Sequence, residues 1–109
     1  MKALFVCNQN KNRSKTAEEI FKDRFETKSA GLYTLDVKNL LTEDSLEWAD
    51  VVFVMDDEQR SEIAKRFPKQ YMKKRILSLN IDDIYAYNNP LLINLLEKKM
   101  EKIMPPSIH

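Results

Sequence analysis

Apolar residues fall in short blocks along this chain, separated by amphipathic stretches. Residues 2–6 (KALFV), 51–55 (VVFVM) and 75–81 (RILSLNI) are largely apolar and rich in branched or aromatic side chains. That pattern predicts strands of a parallel sheet covered on both faces. A weaker strand is expected near 27–30 (TKSA). Between these blocks the period changes. Ala17, Ile20, Phe21 and Phe25 recur at helical spacing and predict a helix from about Ser14 to Phe25. Thr42, followed by two acids, is an N-cap for a short helix through Trp48. Asp56 with Gln59 resembles a capping box, and Ile63, Ala64 and Phe67 form an apolar face ended by Pro68. Asn89-Pro90 opens a last helix that buries Leu92, Ile93, Leu96, Met100 and Ile103 and ends before Pro105-Pro106.

Strands alternating with helices imply right-handed crossovers. The expected fold class is therefore α/β, a single doubly wound domain over 1–109, with residues 104–109 as a tail that includes His109. Its parallel sheet should have about four strands and carry helices on both faces. Ligands of such sheets bind beyond the carboxyl ends of the strands. The stretches 7–14, Asp56-Asp57 and Asp82-Asp83 follow three of the predicted strands, so they should open on one edge.

Composition narrows the classes. With 109 residues, 43% hydrophobic and 32% charged, the chain reads as one globular unit with no membrane-spanning segment, and a cytoplasmic location is expected. The net charge of +1 gives no general attraction to nucleic acid or anionic membranes, so any anion site must be local. The lone cysteine, Cys7, has no cysteine or histidine cluster with which to bind zinc. It is either a buried hydrophobe or a reactive thiol; no metal or other cofactor is expected.

Position favours the reactive thiol. Residues 7–14 (CNQNKNRS) crowd turn chemistry and charge onto the end of a buried strand. A strand turning into a helix can offer successive backbone N–H groups and a helix N-terminus to an oxyanion. Asn8, Asn10 and Asn12 tolerate the left-handed geometry such a turn needs in place of glycine. In that setting Cys7 would act as a nucleophilic thiolate. Arg13 could bind two oxygens of the oxyanion at once, and Ser14 could donate to the sulfur when it leaves. Gln9, Lys11 and the remaining loop positions complete a cradle for phosphate, sulfate or vanadate.

The run VCNQNKNRSKTAEEIF resembles the signature of low-molecular-weight protein tyrosine phosphatases, in which Cys, five residues and Arg-Ser precede a helix bearing Ala-Glu. SAGL at 29–32 and LTEDSLEWADVVFVMD at 41–56 extend the likeness over nearly the whole chain, and it is greatest with a short subgroup of predicted phosphatases. The resemblance implies hydrolysis of an aryl phosphate, on a protein or a small molecule, through a phosphocysteine. It also implies an acid after the last strand, for which Asp83, aligned through Tyr85, is the candidate and Asp82 the fallback. Tyr85 would then wall the substrate slot, or merely pack. The chain departs from the family at Gln9, Lys15 and Ile84, where glycine, proline and proline are usual, and at Asn12, where many members carry a second cysteine. Three alternatives stand beside it: arsenate reduction with an external thiol, a phosphocysteine carrier, and a phosphate- or phosphotyrosine-binding module with little catalysis.

Overall fold

The computed structural model describes residues 1–105, so His109 and most of the expected tail lie outside the described residues. Strands β1 (Lys2–Cys7), β2 (Glu26–Gly31), β3 (Val51–Val54) and β4 (Arg75–Ser78) form one parallel sheet in the order β2-β1-β3-β4. The doubly wound sheet expected from the strand and helix alternation is therefore present. Helices α1 (Arg13–Ile20), α2 (Glu43–Trp48), α3 (Asp57–Arg66), α4 (Pro68–Lys73) and α5 (Pro90–Ile103) surround it. From β1 the chain steps to β2 on one side and later crosses to β3 on the other. The C-terminal end of β1 is thus the switch point where such sheets bind ligands.

Alternation along the central strands divides the core in two. Ala3, Phe5 and Cys7 of β1 face the same apolar layer as Val51 and Phe53 of β3, together with Ala17 of α1 and Leu92, Leu96 and Met100 of α5. Leu4, Val6, Val52 and Val54 face the opposite layer, closed by Leu46 and Ile63. In the first layer the Phe5 ring stacks on Phe53 at 5.2 Å and on Phe21 at 5.7 Å. Each such buried side chain contributes roughly 1.5–3 kcal/mol of transfer free energy. Cys7 thus ends a strand whose preceding residues are locked on both faces.

The structure departs most from the sequence expectation in three places. The first helix stops at Ile20 rather than Phe25, because β2 pairs from Glu26 opposite Lys2 and the chain must turn before it. Phe25 still reaches the core, through turns in which the Phe21 carbonyl accepts from both the Arg24 and Phe25 amides. Pro68 ends α3 but also starts α4, since proline lacks an N–H where a new helix needs none. The last strand stops at Ser78 rather than at residue 81, because Asn80 is left-handed with φ +54°. Leu79 and Ile81 nevertheless stay buried, donating to the carbonyls of Val54 and Met55. No helix among the described residues is long and apolar enough to cross a membrane.

Candidate active site

Residues 8–12 follow β1 and feed directly into α1. Asn10 sits at φ +53°, the left-handed conformation expected of a loop asparagine. α1 leaves its N-terminus without a side-chain cap, as does α4, which starts on Pro68. Asn12 makes no side-chain cap and no acid occupies the first turn, whereas Thr42, Asp56 and Asn89 cap α2, α3 and α5. Among the described residues, no hydrogen bond to a protein acceptor is made by the backbone N–H groups of Gln9 to Arg13. Those donors and the positive helix end are left for an anion.

The loop is braced from two sides. Gly31 lies under it: a Cβ there would come within 3.0 Å of the Asn10 nitrogen and the Gln9 carbonyl carbon, both backbone atoms that cannot swing away. Gly31→Ala is therefore expected to destabilise the fold by about 1–3 kcal/mol and to weaken oxyanion binding; thermal unfolding and phosphate titration read the two effects. On the other side, buried Gln59 accepts from the Met55 amide at 2.7 Å and donates to the Asn8 side chain at 3.1 Å. The capping box expected at Asp56 is thus only half formed. Asp56 accepts from the Gln59 amide at 2.9 Å, while the Gln59 side chain serves the loop instead.

Cys7 Sγ lies 2.9 Å from Ser14 Oγ, and Ser14 Oγ donates to Asn10 Oδ1 at 2.8 Å, all buried. With Ser14 so oriented, the thiol proton points at Ser14. A thiolate asks for the reverse. Asn10 Nδ2 has no partner, so turning that amide would let it donate to Ser14 Oγ and free the hydroxyl proton for the sulfur. The triad can therefore serve either form of the sulfur.

Arg13 is 2% exposed. Its Nη1 donates to the Ile81 carbonyl at 2.7 Å, the atom that the Asn80 turn brings to this edge, and lies 3.5 Å from Asp56 Oδ2. Its Nε lies 3.6 Å from Asp83 Oδ1 and makes no hydrogen bond. An unmet buried donor costs about 1–3 kcal/mol, which an incoming oxyanion would recover. Cys7, Asn8, Gln9, Lys11, Asn12, Arg13 and Asp83 line a cavity of about 70 Å³. That volume suits an oxyanion head rather than an aryl group, which would have to stand at the rim.

The predicted stretches after β1, β3 and β4 thus meet on Arg13. Asp83, not Asp82, lines the cavity. Tyr85 is half-buried against the core layer of Phe5 and Phe53 and is not among the lining residues. Gln59, Gly31 and Thr16 were not foreseen as parts of the site.

No protein-family model and no curated protein matches the sequence; the likeness is structural. The YwlE arginine phosphatase from Geobacillus stearothermophilus superposes with a TM-score of 0.68 at 21% identity, covering 99% of both chains. The tyrosine phosphatase Wzb from Escherichia coli K30, solved in complex with phosphate, gives 0.74 at 18% identity over 94% of each chain. A low-molecular-weight protein tyrosine phosphatase from T. tengcongensis gives 0.72 at 21% identity, over 91% of this chain and 92% of the other. The chain has the low-molecular-weight tyrosine phosphatase fold. Within that fold, the cavity built by residues 7–13 occupies the carboxyl edge of the sheet at its switch point.

Proposed function

We propose that this protein is a cysteine-dependent phosphatase that hydrolyses aryl phosphates, phosphotyrosine among them. The observation that carries the reading is the convergence of Cys7, an unpartnered buried Arg13 Nε and Asp83 on one cavity of oxyanion size. In the first step Cys7 sulfur attacks phosphorus, the phosphorus–oxygen bond to the aryl group breaks, and Asp83 protonates the departing oxygen. In the second, Asp83 takes a proton from water, whose oxygen displaces the sulfur, and Ser14 donates to the leaving thiolate. Arg13 and the free loop amides hold the equatorial oxygens throughout, an electrostatic contribution that grows as charge spreads in the transition state.

Exposed Lys11 at the cavity lip favours a neutral aryl group over a phosphorylated guanidinium, because a second cation there is repelled. The neighbours described as tyrosine phosphatases, and the phosphate bound to one of them, support the assignment. Asp83 is 59% exposed on its side chain and rests against Arg13, which also suits a phosphate-binding module without efficient turnover. Kinetics separate the two readings. Asp83→Asn is expected to lower kcat/KM on phosphotyrosine by about 10²-fold or more, and kcat/KM much less on an aryl phosphate whose leaving group needs no proton. Vanadate binding with no turnover of either substrate by the wild type would instead establish the binding module.

A further inference from the structure

The segment that carries Asp83 has little packing of its own: Asp82, Asp83 and Ile84 are exposed, the last at 74%. What holds it comes largely from one face of α1. At its start, Arg13 Nη1 donates to the Ile81 carbonyl at 2.7 Å. At its end, the Asn88 amide donates to Thr16 Oγ1 at 2.8 Å, across 72 positions of sequence. Arg13 and Thr16 are three residues apart and so share a helix face. Thr16 is fully buried, and its hydroxyl also donates to the Asn12 carbonyl at 2.7 Å, the last residue of the phosphate loop. One hydroxyl has one proton and two lone pairs, so both contacts are made at once.

Asn88 supplies the geometry. It is left-handed at φ +61°, just before the Asn89 cap of α5, in a turn closed by the Asn89 amide on the Ala86 carbonyl at 3.2 Å. Tyr85, packed on the core, the Ile81 amide on the Met55 carbonyl and Asp83 beside Arg13 are the segment's other anchors. We infer that Thr16 is a positioning residue: its hydroxyl ties the end of the Asp83 segment to the end of the phosphate loop and so sets the acid over the cavity. The catalytic part of this inference rests on the phosphatase reading above, whereas the tie itself does not.

Thr16→Val removes the hydroxyl at nearly constant volume, and Thr16→Ser keeps it. The valine variant is expected to lose about tenfold in kcat/KM on phosphotyrosine, a part of what a fixed general acid supplies, with little change in kcat/KM on an activated aryl phosphate and unchanged phosphate affinity. The serine variant should restore the loss. Hydrogen exchange reads the tie directly: the Asn88 amide should be protected in wild type and Thr16→Ser and exchange faster in Thr16→Val. Equal protection of Asn88 in the valine variant, or an equal loss on both substrates, would overturn the inference. A wild type without turnover would sink the phosphatase reading, and exchange at Asn88 would still decide whether Thr16 holds the segment.

Discussion

Cys7→Ser is expected to reduce turnover of an activated aryl phosphate by about 10⁴-fold or more, in line with losses when a covalent nucleophile is removed. The reason lies in what surrounds the sulfur. Its hydrogen-bonding neighbour is Ser14 Oγ at 2.9 Å, itself bonded to the Asn10 amide, and neither group can take a proton from a serine hydroxyl at neutral pH. A thiolate needs no such base. Phosphate affinity should survive the change, because Arg13 and the loop amides remain. Steady-state kinetics with parallel phosphate titration check both halves; a serine variant that keeps more than about a tenth of the activity would place the nucleophile elsewhere.

Arg13→Lys is expected to lower kcat by about 10²- to 10³-fold and to raise KM, even though the charge is kept. Arg13 uses one end of its guanidinium as a structural tie, with Nη1 on the Ile81 carbonyl, and keeps Nε without a partner beside the cavity that the residue lines. An ammonium cannot do both. A lysine could replace the tie or reach the oxyanion, and in either case the planar pair of donors matched to two phosphate oxygens is lost. Asp56, 3.5 Å from Nη1, would also lose its partner, but it is 39% exposed on its side chain, so that loss is expected to matter less to stability than to catalysis. Activity within a few-fold of wild type would show that charge rather than geometry holds the substrate.

Much of this arrangement was legible before the structure, for identifiable reasons. The strands that read most plainly, around Leu4 and Val52, are those buried on both faces, where apolar content is continuous and little competes with it. β2 read weakly because it is an edge strand whose residues 26–29 are exposed or partly buried. The loop stood out because the chemistry proposed for it requires particular residue types: a cysteine, an asparagine able to turn left-handed, an arginine and a serine at short separation. Boundaries were less legible. Asn80 and Pro68 each carry a backbone preference that the apolar pattern does not register: the first ends β4 early, and the second starts a further helix, α4. The meeting of three strand ends on Arg13 could be foreseen, but other contacts across the chain could not. Gln59 looked like a helix-capping partner and Thr16 like an ordinary helical position, because Asn8 and Asn88 become their neighbours only once the sheet is wound. Gly31 could be matched by resemblance, but the reason for it, the passage of the loop backbone 3.0 Å from where a Cβ would stand, belongs to the fold.

In the proposed mechanism the phosphoryl group passes through Cys7 sulfur. The most direct test is rapid acid quench of the enzyme during turnover of an activated aryl phosphate, followed by mass spectrometry of the peptide containing residues 7–14. Asp83→Asn serves beside wild type, because slowing the attack of water lets the intermediate accumulate. A phosphoryl adduct on Cys7, formed as the aryl alcohol is released and higher in the Asp83 variant, is the predicted result. Release of the aryl alcohol at full rate with no phosphate on Cys7 in either protein would contradict it.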